Sequence, residues 1–176
     1  MSVDPTEASS GNTNSSVVHA TAIALGEHGV LLRGPSGAGK SDLALRLLAS
    51  SPLTLAGRSW ETSLVADDYV QLTGTNATTL MMSPPAEAIR GLLEVRGVGI
   101  LNLPNLKQCQ LTLVVDLVAS HEDVPRLPPD GASCALHGVE CPRLMLYPFE
   151  VSAVAKLLCA VRMLTMPKLE DKTVPR

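Results

Sequence analysis

Residues Gly34-Pro35-Ser36-Gly37-Ala38-Gly39-Lys40-Ser41 complete the pattern G-x-x-x-x-G-K-[ST], and no other segment constrains the fold as strongly. Such a loop needs a strand ending where it begins and a helix beginning where it ends. Both are legible. Gly29 to Arg33 is short and rich in branched apolar residues, which predicts a strand. Ser41 to Leu48 carries apolar residues at 43, 44, 47 and 48, the stripe of a helix. The glycines let successive backbone N–H groups turn inward on one phosphate, where a Cβ would obstruct them. Lys40 is placed to reach β- and γ-phosphates and the Ser41 hydroxyl to ligate Mg²⁺. A glycine-rich turn matching by accident would have no reason to sit between that strand and that helix.

The 176 residues suit one domain with a real core. Hydrophobic residues make up 45%, yet there are only one Phe, one Trp and two Tyr, so Leu, Val and Ala must build that core. A net charge of −3 without charge runs argues against a nucleic-acid surface, and the scarcity of aromatics argues against a single-strand platform. Cys109, Cys134, Cys141 and Cys159 lack metal-ligand spacing and fit reduced thiols in the cytoplasm. No apolar run reaches membrane-spanning length. Residues 1–16, polar and rich in Ser, Thr, Asn and Gly, read as a disordered tail rather than a signal peptide.

Val17 to Leu25 predicts a strand, and Gly26 to Gly29 a tight turn into the strand that feeds the phosphate loop. Ser50 to Ser63, with Pro52 and Gly57, reads as an exposed loop. Leu64-Val65-Ala66 is a short strand ending at Asp67-Asp68, and Tyr69 to Leu72 continues beyond it. Further strands are predicted near Thr78 to Met82, over Leu111 to Leu117, over Cys134 to Glu140 and over Arg143 to Leu146. Val124 to Gly131 is a Pro- and Gly-rich connection, and Val151 to Met163 a closing helix. The count favours an α/β domain with a mixed sheet and few covering helices.

Acidic residues decide what becomes of the phosphate. Asp67 and Asp68 follow an apolar strand, where a carboxylate meets the Mg²⁺ side of such a site, unless they are merely a turn or cap pair. On an extended segment the two would point to opposite sides. In Glu94-Val95-Arg96-Gly97-Val98-Gly99-Ile100-Leu101-Asn102, alternation puts Glu94 and Arg96 on one side, which suits either a metal–phosphate site or a surface ion pair. His19 and Arg126 have no claim of their own.

Taken together, these segments resemble the catalytic domain of HPr kinase/phosphorylase, a bacterial enzyme that phosphorylates a seryl residue of the phosphocarrier HPr. The resemblance rests on His19, Gly34 to Ser41, Leu64 to Asp68 and Leu93 to Asn102, with weaker echoes at Arg126-Leu127 and His137 to Leu144. It implies an α/β P-loop kinase domain over residues 17–166, followed by a tail over 167–176. By position it implies that Lys40 binds ATP phosphate within the loop Gly34, Pro35, Ser36, Gly37, Ala38, Gly39, Lys40 and Ser41. Ser41 and Glu94 would hold Mg²⁺. Asp68 would take the seryl proton with His19 beside it, and Arg126 would approach the transferring phosphate. A homo-oligomer, hexameric by resemblance, is implied too.

Three departures bear on the expected activity. Family members carry a separate N-terminal domain for which this chain has no room. The connection through Ser51 to Ser63 is longer than usual. The Pro-Gly-Arg-Asn segment that follows the last strand, tied in the family to phosphorolysis, is replaced by Leu146-Tyr147-Pro148-Phe149-Glu150. The expectation is a serine kinase acting on HPr or an HPr-like carrier, with weak or no phosphorylase activity. A small-molecule kinase would need an Arg-rich lid, which is not seen. A non-catalytic ATP sensor is the other alternative, against which stand Lys40, Ser41, Asp68 and Glu94.

Overall fold

A computed structural model describes residues 15–165. Its strands are β1 (Ser15–His19), β2 (Thr21–Leu25), β3 (His28–Arg33), β4 (Leu53–Leu55), β5 (Arg58–Trp60), β6 (Thr62–Ala66), β7 (Tyr69–Asn76), β8 (Thr79–Ser83), β9 (Leu92–Val95), β10 (Gly99–Asn102), β11 (Cys109–Leu117), β12 (Ser133–Leu136) and β13 (Val139–Leu146). The helices are α1 (Lys40–Ala49) and α2 (Ala153–Thr165), with 3₁₀ turns at Glu87–Ile89 and His121–Asp123. The expected mixed sheet with few helices is what forms. No described helix is long and apolar enough to cross a membrane. Of the expected tails, residues 1–14 and 167–176 lie outside the described residues, as does the last residue of the expected domain, while Ser15 and Ser16 already belong to β1.

The main sheet has nine strands in the order β1-β7-β8-β11-β3-β2-β6, with β13 and β12 branching from β11. Centrally, β11 runs parallel to β3 and β13 and antiparallel to β8. One edge of β11 is shared: its start pairs with β8 at Cys109 and Gln110, and its end with β13 from Val114 to Leu117. The sheet therefore curls, and its two faces bury different cores. Ile23, Leu25, Val30, Leu32, Leu113 and Val115 pack against Leu43 and Leu47 of α1 and Leu157 and Val161 of α2. Ala22, Ala24, Leu31, Val65 and Val114 face the curled-over strands through Val70, Leu72, Leu80 and Met82. With both faces covered, every residue of β2 is buried, which explains its unbroken apolar run. Each fully buried Leu or Val contributes about 1.5–3 kcal/mol. The β3–β11 approach is close: a Cβ on Gly29 would stand 2.3 Å from the Gln110 carbonyl oxygen, a backbone atom that cannot step aside.

Several predicted elements change. The strand predicted from Val17 to Leu25 breaks at Ala20, because β1 pairs with β7 whereas β2 pairs with β3 and β6. The supposed loop Ser50 to Ser63 contains the hairpin β4–β5, turned at Ala56 and Gly57 with φ of 48° and 78°. Across that hairpin Leu53 faces Trp60, and both are buried in the helical core. The strand predicted over Cys134 to Glu140 is split, with Cys134 to Leu136 in β12, Val139 and Glu140 in β13, and the turn between them at His137 and Gly138 with φ of 50° and 77°.

Candidate functional site

Two strands bend together to make the site. The chain turns at Ala20 between β1 and β2, and again at Asp67-Asp68 between β6 and β7, and the two corners lie side by side. The Ala20 N–H donates to the Asp68 carbonyl at 3.2 Å, and the Tyr69 N–H reaches back to the Asp67 carbonyl at 2.8 Å. Asp68 has φ of 66°, a left-handed conformation uncommon outside glycine. Such a residue stores about 1–3 kcal/mol and persists where its surroundings fix it. Here the kink brings both carboxylates into one cleft, contrary to the opposite facing expected of an extended segment.

Asp67 is held deep in that corner. Its Oδ1 accepts from Thr21 Oγ1 at 2.7 Å and from Ser41 Oγ at 3.0 Å, and Thr21 is fully buried. The sequence points to Asp67 and Asp68 together as carboxylates after an apolar strand but gives Asp67 no role of its own, and the bond to Ser41 supplies one. Asp68 stands further out, with His19 Nε2 at 3.1 Å from Oδ1. Tyr69 lies behind that imidazole, with ring centroids 5.9 Å apart.

The phosphate loop joins β3 to α1, with Gly39 capping the helix at φ of 89°. No atom stands within 4 Å of where a Gly37 Cβ would be, so the mouth of the loop is open. Lys40 is 7% exposed, and its Nζ donates to the carbonyls of Gly34 and Pro35 at 2.9 and 3.0 Å. Burial lowers its pKa, opposed by the charges of Asp68 and Asp67. An ammonium kept in the loop and facing two carboxylates is arranged for an anion and a cation together.

The cleft, about 480 Å³, is lined by His19, Lys40, Ser41, Asp67, Asp68 and Glu94, with Ser36, Gly37 and Gly39 along the loop. Glu94 ends the exposed side of β9, and Arg96 lies in the turn to β10; both line the cleft. Mg²⁺ in nucleotide enzymes takes one or two carboxylates and completes its shell from phosphates and water. Ser41 Oγ with Asp67, and Glu94 as a further carboxylate, form a donor set that fits that pattern. Arg126 is not brought to this group. It is exposed on the connection after β11, whose Val124, Pro125 and Pro128 line a separate cavity of about 340 Å³.

Behind the loop, three strands are tied by one carboxylate. Arg33, the residue before Gly34, binds Asp116 of β11 through two bonds of 2.7 and 2.9 Å, and Arg143 of β13 donates to the same carboxylate. Burial opposes the charge on Asp116, but the hydrogen bonds from both arginines outweigh it and hold the carboxyl below its usual range.

The model of the HPr serine kinase C-terminal domain family matches residues 12–170. The HPr kinase/phosphorylases of Streptococcus mutans and Streptococcus thermophilus are each 33% identical over 138 residues, covering 73% of this chain and 41% of theirs. That of Streptococcus pneumoniae is 30% identical over the same length. The chain thus spans about two-fifths of the length of the curated relatives it matches. Among solved structures, the Hpr(Ser) kinase/phosphatase from Coxiella burnetii superposes with a TM-score of 0.66 at 23% identity, covering 84% of this chain and 95% of that one.

Proposed function

The chain belongs to the HPr serine kinase C-terminal domain family, and on that premise we propose that it transfers the γ-phosphoryl group of ATP to a serine of HPr or an HPr-like carrier. The observation that carries this reading is the His19–Asp68 pair at 3.1 Å, in the same cleft as Lys40 and Ser41. A carboxylate near the phosphate loop, open to a protein substrate, is what accepting a seryl proton requires. Asp68 takes that proton as the seryl oxygen attacks, and His19 holds the carboxylate in position. Lys40 neutralises charge on the transferring group, which matters more than base strength in a loose transition state. Mg²⁺, held by Ser41 and Glu94 with Asp67 behind Ser41, would supply further charge neutralisation. Arg126 joins the transferring phosphate only if its loop, or that of a neighbouring copy in a homo-oligomer, approaches. Because Tyr147 to Glu150 replaces the segment linked to phosphorolysis, the reverse reaction with inorganic phosphate is weak or absent.

Incubation with γ-labelled ATP, Mg²⁺ and HPr should label the carrier on serine. Asp68→Asn should slow transfer by about 10²–10⁴-fold while nucleotide binding persists. Transfer that survives this substitution would sink the role of Asp68. Binding without any transfer by the unaltered chain would favour an ATP sensor, and labelling of a metabolite instead of HPr a small-molecule kinase. Ready formation of pyrophosphate from phosphorylated HPr and added inorganic phosphate would overturn the loss of phosphorolysis.

A further inference from the structure

One phenyl ring lines the cleft that the proposed transfer does not use. Phe149 is the only Phe of the chain and follows β13, which lies parallel to β11 and β3. Ligands of open α/β sheets bind outside the carboxyl ends of such strands. The loop after β3 is the phosphate loop, and the loop after β13 lines the same cleft through Phe149.

That loop is fixed to the phosphate loop, to α1 and to α2. A Cβ on Gly39 would stand 2.9 Å from Phe149 Cζ and 3.1 Å from Pro148 Cγ, so ring and proline pack directly on the loop. Arg46 donates to the Pro148 carbonyl and is itself bonded to Asp42 at 3.0 Å. Tyr147 meets Phe149 edge-on, with centroids 5.8 Å apart and planes at 75°. Lys156 holds Glu150 at 2.7 Å. Phe149 nevertheless remains 55% exposed. A large apolar ring held rigid and left half in water at the edge of a phosphate site is a stacking surface.

We propose that Phe149 is the platform on which the nucleobase of the bound nucleotide stacks, with Leu45 and Val95 as the other apolar lining of the cleft. This rests on the nucleotide reading above and adds to it a base subsite. Stacking uses the π-face that every base has, so it adds affinity without reading the base edge.

Calorimetric titration of the full chain with Mg²⁺-ATP and with Mg²⁺-tripolyphosphate separates the two contributions. ATP should bind about tenfold more tightly than tripolyphosphate, the scale of one base–aromatic contact. Phe149→Ala should remove that advantage and leave tripolyphosphate affinity unchanged. Phe149→Leu keeps bulk over Gly39 but no π-face, and should lose ATP affinity as Ala does. Phe149→Trp should retain it. Equal loss for both ligands would make the ring a mere buttress of the loop and overturn the proposal. So would full ATP affinity in the Leu variant, or equal affinity of the unaltered chain for both ligands. If the unaltered chain bound neither, the nucleotide reading would fall together with the subsite.

Discussion

The floor and the rim of the cleft are built on opposite terms. On the floor, Lys40 is nearly buried and bonded to loop carbonyls, and Asp67 is bonded to Ser41 and Thr21. Asp116 ties together the strands beneath. At the rim, the β9–β10 hairpin exposes Glu94 and Arg96, and leaves Val98 72% and Ile100 69% accessible. The difference teaches that the polar groups of the floor are fixed by bonds within the chain, whereas those of the rim are left to solvent. Preorganised charge is worth most where charge develops, which is at the floor.

That contrast can be broken in three places. Lys40→Ala should cost the most: transfer should fall by about 10²–10³-fold, the scale of losing one preorganised donor. Its melting temperature should barely move, since Lys40 bonds only to its own loop. Measured by labelled transfer and calorimetry, an active variant would show that the floor is not where phosphate is handled. Asp116→Asn comes next and should lower stability by about 2 kcal/mol near neutral pH, a buried-pair cost reduced because the arginines are partly exposed. With its folded pKa depressed, Asp116 contributes stability that is present above its unfolded value of about 4. That contribution is lost as pH falls through the lower folded value, so urea melts of the two proteins should converge in acid. A gap that stayed constant into acid would mean that charge is not what ties the strands. Ile100→Ser should have the smallest effect, within about 0.5 kcal/mol. A large drop in its urea midpoint would show that the rim is structural after all.

Legibility in the sequence followed the same division. The strand, loop and helix around Gly34 to Ser41 are local, so propensity and spacing sufficed, and the observed β3 and α1 match them. The hairpin β4–β5 was hidden because its turn is Ala56-Gly57 rather than Asn-Gly, and its buried residues are few and far apart. The break at Ala20 could not be read, since it reflects a change of strand partners distant in sequence. The same holds for Asp67. An adjacent carboxylate pair is visible, but the left-handed turn at Asp68 that points both into one cleft is not. His19 became notable only through the resemblance, and the 3.1 Å contact with Asp68 gives it a physical reason. Arg126 came from the resemblance alone and stands outside the cleft in the single chain.

The paired corners at Ala20 and Asp68 have a mechanical consequence. They are a seam along which the half-sheet of β1, β7 and β8 folds over that of β2, β3 and β6. Asp68, the proposed base, stands on that seam, and the phosphate loop follows β3 of the second half. Beside that seam the buried layer is built from small residues, with Ala20, Ala22 and Ala24 fully buried and Ala66 nearly so, and farther in it widens to Leu31, Val65, Leu72, Leu80 and Met82. The corner that carries Asp68 rests directly on those small residues, since the Ala20 N–H donates to the Asp68 carbonyl. One added methylene there would act as a shim, tilting the carboxylate without touching any ligand.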